Sequence, residues 1–303
     1  MRVVIAGSSG LIGSAFTRSL LADGHEVVRL VRRPAATTGD GHATEVTWDP
    51  AAAYVPISAL DGADAVVNLA GAGVGDHRWT RAYRRRVRDS RVLSTATLAT
   101  ALAGLAAPPA VFVAGSAIGY YGETGDRPTD EAGAPGTDFL AGVCQEWEAA
   151  AAPAEKAGVR VTHPRFGLVV ARKGGAFGRL LPPARLGLGG RLGTGRQYWS
   201  YVSITDAIRA LRHLIDEASI AGPVNVTTPN PTVNREITAV IGRAVNRPML
   251  FTVPGPALRV ALGGFAEGIL MSQRIVPAKL LTSGFDFSHP TFAEALASVL
   301  SHP

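Results

Sequence analysis

The chain is poor in the residues that could staple it together. Its 303 residues include one cysteine, Cys144, so no intramolecular disulfide can form and no cysteine-rich zinc site can be assembled. A lone thiol fits a reducing compartment, and a cytoplasmic protein is expected. Lysine is scarce: of 30 basic residues only Lys156, Lys173 and Lys279 carry an ammonium. The seven histidines show no metal-ligand spacing. Long hydrophobic runs are missing too. Val92 to Gly122 carries no charge, but Pro108-Pro109 interrupts it and Ser94, Thr95, Thr97 and Thr100 make its first half polar. A helix end, a turn and a buried strand are expected there, not a membrane span. The strand-like run Val3–Ala6 passes straight into Gly7, with no signal-peptide-like apolar region before it.

What is present is a globular composition, 47% hydrophobic and 18% charged, with length for about two domains at roughly 150 residues each. The net charge of +6 is localised: between Asp76 and Arg91 seven arginines face two aspartates, which accounts for five of the six charges. Short apolar runs (Val3–Ala6, Val27–Val31, Ala65–Ala70, Val111–Ala114, Val159–Thr162) alternate with helical patterns over Leu11–Asp23, Arg78–Leu105 and Phe139–Ala157. Apolar strands separated by helices predict a parallel sheet covered on both faces, a doubly wound α/β fold of the Rossmann type. After about Arg165 glycine and proline become frequent. Helices are expected at Thr205–Glu217, Arg235–Val245, Pro256–Leu270 and Thr291–Leu300. The division expected is a nucleotide-binding domain over 1–165 and a smaller α+β substrate lobe over 166–303, with the chain able to cross between them.

The strongest motif is Gly7-Ser8-Ser9-Gly10-Leu11-Ile12-Gly13, which follows a strand and opens an amphipathic helix. That is the context a dinucleotide fingerprint requires. Gly7 permits a tight turn, Gly10 lets backbone approach a pyrophosphate, and Gly13 lets helix pack on strand. The helix N-terminus then offers free N–H groups to the phosphates.

The Gly-x-x-Gly-x-x-Gly spacing resembles the short-chain dehydrogenase/reductase superfamily, and Asn68-Leu69-Ala70-Gly71 resembles that family's second cofactor motif. Gly193-Thr-Gly-Arg-Gln-Tyr-Trp-Ser-Tyr-Val-Ser-Ile-Thr-Asp206 is similar to the second-lobe segment of its extended, epimerase-like branch. Ser116–Gly122, Phe139–Glu148, Leu186–Gly190 and the terminal Gly284-Phe-Asp-Phe together resemble an atypical epimerase-like subfamily. The resemblance implies a nicotinamide cofactor and an oxidoreductase or epimerase acting on a small, sugar-like or anionic substrate. From Val27 through Gly39 no acid is available for the ribose hydroxyls of NAD, and Arg32-Arg33-Pro34 stands there instead. A guanidinium at that place suits the 2′-phosphate of NADP(H); the alternative is a solvated loop charge.

The catalytic position departs from the family. Its acid/base is a tyrosine with a lysine four residues later, and none of the six tyrosines has one. Leu140 and Cys144 align with the two positions, and Glu148 with the acid that follows. Ser116 stands where the family keeps a substrate-binding Ser/Thr, and Tyr120 or Tyr121 could donate a phenolic proton nearby; Ser116 and Tyr121 are the catalytic candidates. The alternative is that the tyrosines pack with bonded hydroxyls. Cys144 reads as a buried, inert thiol. The basic helix is either a solvated face or places Arg91 against a cofactor phosphate; nothing accompanies it that would make a nucleic-acid site. A non-catalytic NADP(H)-binding or redox-sensing protein is the rival reading. No nucleic-acid or membrane partner is expected, and the protein is expected to be a monomer or homodimer.

Overall fold

The structure is a computed structural model and describes residues 1–35, 43–172, 174–178, 180–249 and 251–300. The last part of the acid-free stretch, residues 36–39, lies outside the described residues. Strands β1 (Arg2–Ala6), β2 (Glu26–Val31), β3 (Ala43–Thr47), β4 (Ala65–Asn68), β5 (Val111–Ala114), β6 (Ser116–Ala117), β7 (Arg160–Phe166) and β12 (Gly222–Val226) build the main sheet. Its order is β12-β7-β5-β4-β1-β2-β3, with β6 beside β7, and all its pairs are parallel. The order reverses at β1 and β4, as in the dinucleotide-binding doubly wound fold.

Side chains of successive residues leave the sheet on opposite faces. Val4, Val28, Val66 and Phe112 pack against Leu98 and Leu102 of α3 (Arg81–Ala103). Val3, Ile5, Val67 and Val113 pack against Phe16 and Leu20 of α1 (Leu11–Ala22) and Leu211 of α8 (Ile204–Asp216). Both faces are therefore dry. Thr80 caps α3, its hydroxyl accepting from Tyr83 N at 3.1 Å, so the helix begins three residues after the expected Arg78.

Two expected helices are each broken in two. Phe139–Ala157 becomes α4 (Phe139–Ala149) and α5 (Ala152–Lys156), because Pro153 cannot donate into the preceding turn. Pro256–Leu270 becomes α10 (Gly255–Leu262) and α11 (Phe265–Leu270), separated at Gly263 with φ +60°. Strands β3 and β12 carry no clear signal: the first is half-exposed and polar, and the second contains Gly222, Pro223 and Asn225, breaker residues that an edge strand tolerates.

The other short strands pair locally beyond the sheet: β8 (Leu168–Val170) with β11 (Tyr201–Ser203), β9 (Gly190–Leu192) with β14 (Phe251–Val253), and β10 (Tyr198–Trp199) with β13 (Thr232–Val233). With α9 (Asn234–Ala244) and α13 (Phe292–Leu300) they enclose a core around Phe177, Tyr201, Ile237 and Phe292. Asp206, fully buried at the start of α8, accepts from the Ser288 and His289 N–H groups, each at 2.9 Å. The segment ending at Asp206 thus fastens the chain that follows Gly284-Phe-Asp-Phe. Among the described residues no helix is long and apolar enough to cross a membrane.

The turn after β1 packs closely against the start of α1. A Cβ on Gly13 would stand 2.2 Å from the Gly7 carbonyl oxygen, a backbone atom that cannot swing away. Gly13→Ala should therefore lower unfolding stability by roughly 2–4 kcal/mol, read by urea denaturation. A variant as stable as the parent would show that helix and strand do not meet there.

Candidate functional site

The fingerprint residues form one cradle at the carboxyl end of β1. Gly7 has φ +81°, and a Cβ on it would lie 2.5 Å from the Leu69 carbonyl carbon, so glycine is required and the turns after β1 and β4 touch. Gly10 caps α1 without a side-chain bond, and no acid occupies the first turn. The first helical bond runs from Ser14 N to Gly10 O at 2.9 Å, which leaves the N–H groups of Leu11, Ile12 and Gly13 without an intrahelical acceptor. Ser9 and Gly10 are exposed on the rim.

Beside this cradle the three arginines of β2 and the following turn differ. Arg29, which the sequence pattern did not single out, donates to Ser8 Oγ at 3.2 Å and pairs with Glu45 Oε1 at 3.1 Å. Arg33 pairs with the same oxygen at 2.8 Å. Arg32 is exposed and has no hydrogen-bond or ion-pair partner among the described residues. The acid absent from the β2 turn is thus supplied by β3, where Glu45 pairs with both Arg29 and Arg33 and leaves Arg32 available.

The second motif is held from below. Asn68 is fully buried; its amide donates to Thr95 Oγ1 at 2.8 Å and Ser94 Oγ at 3.1 Å, and its oxygen accepts from Ala70 N at 3.1 Å. The hydroxyls that make α3 too polar for a membrane are therefore the anchors of the Leu69-Ala70-Gly71 turn. Arg91 lies against Gly71, where a Cβ would be 3.0 Å from its Cζ. Its Nη1 donates to Ala72 O at 3.0 Å and Val87 O at 2.9 Å, and its guanidinium faces the Trp147 ring at 5.1 Å. Burial pulls its pKa below the usual arginine value.

Arg91 also reaches the wall of a cavity of about 270 Å³ between the carboxyl edge of the sheet and the second lobe. The sheet side is Ala117, Gly119, Phe166 and Gly167. Leu140 and Cys144 of α4 face it, at the places aligned with the family's tyrosine and lysine. Burial, with the Glu148 charge adding, pushes the Cys144 thiol up to about 12.

Ser116 and Tyr121 do not line this cavity. Ser116 Oγ donates to Glu148 Oε1 at 2.6 Å, and the Tyr121 hydroxyl donates to Asn225 Oδ1 at 2.7 Å while accepting from Arg165 Nη1 at 2.8 Å. Arg165 grips Glu148 through two bonds of 2.7 Å and lies 3.4 Å over the Tyr120 ring. Burial raises the Tyr121 pKa to about 12 against the opposing pull of Arg165. Burial also opposes the charge on Arg165, but the Glu148 bonds and charge outweigh it and hold its pKa above the ordinary value. Both hydroxyls, of the two residues expected to be catalytic, are enclosed in a polar network behind the cavity wall. Arg165 and Asn225, the centre and the end of that network, gave no signal in the sequence because one lies in a strand and the other in a stretch of breaker residues. Among the described residues no cluster of metal-binding side chains occurs.

Fold, glycine cradle and second-lobe cavity define a nucleotide-binding protein of the extended, epimerase-like kind. The NAD dependent epimerase/dehydratase family matches residues 3–246, and the chain belongs to it; a domain of unknown function, DUF1731, matches residues 253–299. The chain is similar to an epimerase family protein of Mycobacterium leprae, 45% identical over 302 residues that cover 99% of this chain and 96% of that one. It is similar to the crystal structure of human epimerase family protein SDR39U1 with NADPH, with a TM-score of 0.91, 32% identity and full coverage of both chains. A nucleoside-diphosphate sugar epimerase structure from Corynebacterium glutamicum aligns with a TM-score of 0.79 and 34% identity over 100% of this chain and 58% of that one.

Two measurements check the site's electrostatics. Glu148→Gln leaves the buried Arg165 guanidinium without its carboxylate, and should cost about 3–5 kcal/mol of stability, seen as a fall in the denaturation midpoint; an unchanged midpoint would remove the pair from the core. A thiol with a pKa of about 12 is ionised at pH 8 to a fraction on the order of 10⁻⁴. Iodoacetamide should therefore label Cys144 at least about 10²-fold more slowly in native protein than in urea; equal rates would mean an open, activated thiol.

Proposed function

We propose that this protein is an NADP(H)-dependent oxidoreductase or epimerase whose reaction takes place in the cavity between sheet and second lobe. The observation that carries this is the cradle: Gly7–Gly13, a helix N-terminus with free N–H groups, and the Leu69–Gly71 turn packed against it. The backbone of Ser9, Gly10, Leu11 and Ile12 would hold the pyrophosphate. Leu69, Ala70 and Gly71 would border the cofactor, and Arg91 would balance its negative charge at the inner end. Arg32 would take the 2′-phosphate, with Arg33 held back by Glu45. Human SDR39U1, solved with NADPH, supports the same choice of cofactor.

When bound, the cofactor supplies or accepts hydride at the nicotinamide ring. The chain's own part is to hold a substrate dry in the cavity, since its wall at Leu140 and Cys144 offers no strong base. A thiol that stays protonated favours the direction in which a proton is given, that is, reduction. The same wall favours the second reading, a non-catalytic NADP(H)-binding or redox-sensing protein. Oxidation of NADPH on adding carbonyl substrates supports the enzyme; tight binding with no turnover across a broad panel supports the sensor.

Cofactor choice is tested directly. One charge-assisted contact of about 1.5–3 kcal/mol corresponds to roughly ten- to hundredfold in affinity, so NADPH should bind that much more tightly than NADH and Arg32→Ala should erase most of the difference. Titration followed by nicotinamide fluorescence gives both constants. Equal affinities in the parent protein, or a preference untouched in the variant, would defeat the assignment.

A further inference from the structure

We propose that the cavity takes a compact, neutral, largely apolar substrate that carries a carbonyl or hydroxyl group and few other polar groups, and not a nucleotide sugar or a carboxylate. This rests on the reading of the cavity as the substrate end of an NADP(H) site. It replaces the expectation of a sugar-like or anionic substrate.

The walls are apolar on every side. Leu140 and Val143 come from α4, and Trp199, Phe265, Ile269 and Met271 from the second lobe. Most of the polar atoms among them are already bonded within the protein. Asp138 caps α4, its Oδ1 accepting from Leu140 N at 2.8 Å and Ala141 N at 3.2 Å. Ser200 Oγ donates to Gln273 O at 2.8 Å and accepts from Ile275 N at 2.8 Å. The Trp199 indole N–H donates to Ile269 O at 3.1 Å, and the Gln273 amide to Ile118 O and Gly122 O at 3.0 Å each. Among the described residues Arg91 is the one cation in the wall, and it stands against Gly71, at the cofactor motif.

Among the described residues of the wall, the Tyr198 hydroxyl, Asp138 Oδ2 and Gln273 Oε1 have no hydrogen-bond partner within the protein. So few free polar atoms suit a ligand with few polar groups. Every further hydroxyl of a sugar would lose its water without replacement, at about 1–3 kcal/mol each, and a carboxylate would meet no cation beyond the one at the cofactor motif. The volume of about 270 Å³ also falls below the roughly 300–1,000 Å³ of drug-sized pockets, which favours a one- or two-ring molecule.

Gly268 provides a plug. It lies on α11 in the wall, and a Cβ there would meet only Leu140 Cδ1, at 3.8 Å, so a larger side chain enters the cavity without striking backbone. The probes are 2-tetralone, 2-naphthoate and UDP-glucose, titrated calorimetrically into the full chain with and without saturating NADP⁺, which cannot reduce a ketone. Tetralone should bind at least tenfold more tightly than naphthoate, UDP-glucose should not bind, and Gly268→Phe should weaken tetralone tenfold or more while NADP⁺ affinity stays unchanged. No tetralone binding, tighter binding of naphthoate or UDP-glucose, or tetralone affinity untouched by the plug overturns the proposal. The probe ranking in the parent protein decides the matter even if the variant does not fold. NADP⁺ titrated alone reports on the cofactor reading separately, so failure of one is not failure of the other.

Discussion

The buried pair between Arg165 and Glu148 is the constraint on which the site is built. Both charges have left water, at a cost of several kcal/mol per ion that only good geometry and further hydrogen bonds offset. The two 2.7 Å bonds meet that requirement, and the remaining capacity goes to Ser116 and Tyr121. Through Tyr121 the chain of bonds reaches Asn225 on β12. One network thus ties together the last sheet strands, α4 and the loop leaving β5. These elements carry the sheet side of the cavity, so its wall is rigid for a polar reason although its surface is apolar.

That arrangement explains how a family site can keep its frame while its familiar tyrosine and lysine are absent. In the pattern this chain resembles, α4 would present a tyrosine and a lysine to the nicotinamide. Here Leu140 and Cys144 stand at those places and Glu148, one turn on, turns inward to Arg165. Burial leaves the thiol neutral. Among the described residues the charges nearby are the buried pair behind the wall, Arg91 beside Gly71 and the α4 cap Asp138, and most of the space between is left to apolar side chains.

Helix α3 shows how one element serves both ends. Its first turns are cationic and exposed, which accounts for most of the net charge. Its middle is studded with buried hydroxyls at Ser94 and Thr95 that hold Asn68, and Trp147 also donates to Thr95 at 3.0 Å. Low hydropathy in that stretch is the mark of a polar anchor inside a helix, legible only when the strand it faces is known.

The linear pattern by itself determined the doubly wound sheet, the dinucleotide cradle and the missing tyrosine–lysine pair. Each depends on residues close in sequence: apolar runs of strand length, glycines three apart at a strand end, side chains one turn apart on a helix. Helix breaks at Pro153 and Gly263 were also written there, though periodicity masked them. Only the tertiary structure decided which candidates face the cavity. Ser116 and Tyr121 lie one short segment from its wall, yet their hydroxyls point to Glu148, Arg165 and Asn225, residues 32 to 104 positions away. Arg32 and Arg33 are neighbours, yet Glu45 of a strand the pattern did not reveal binds one and not the other. Burial and pairing across long sequence separations set the pKa and availability of a side chain, and no local spacing encodes them.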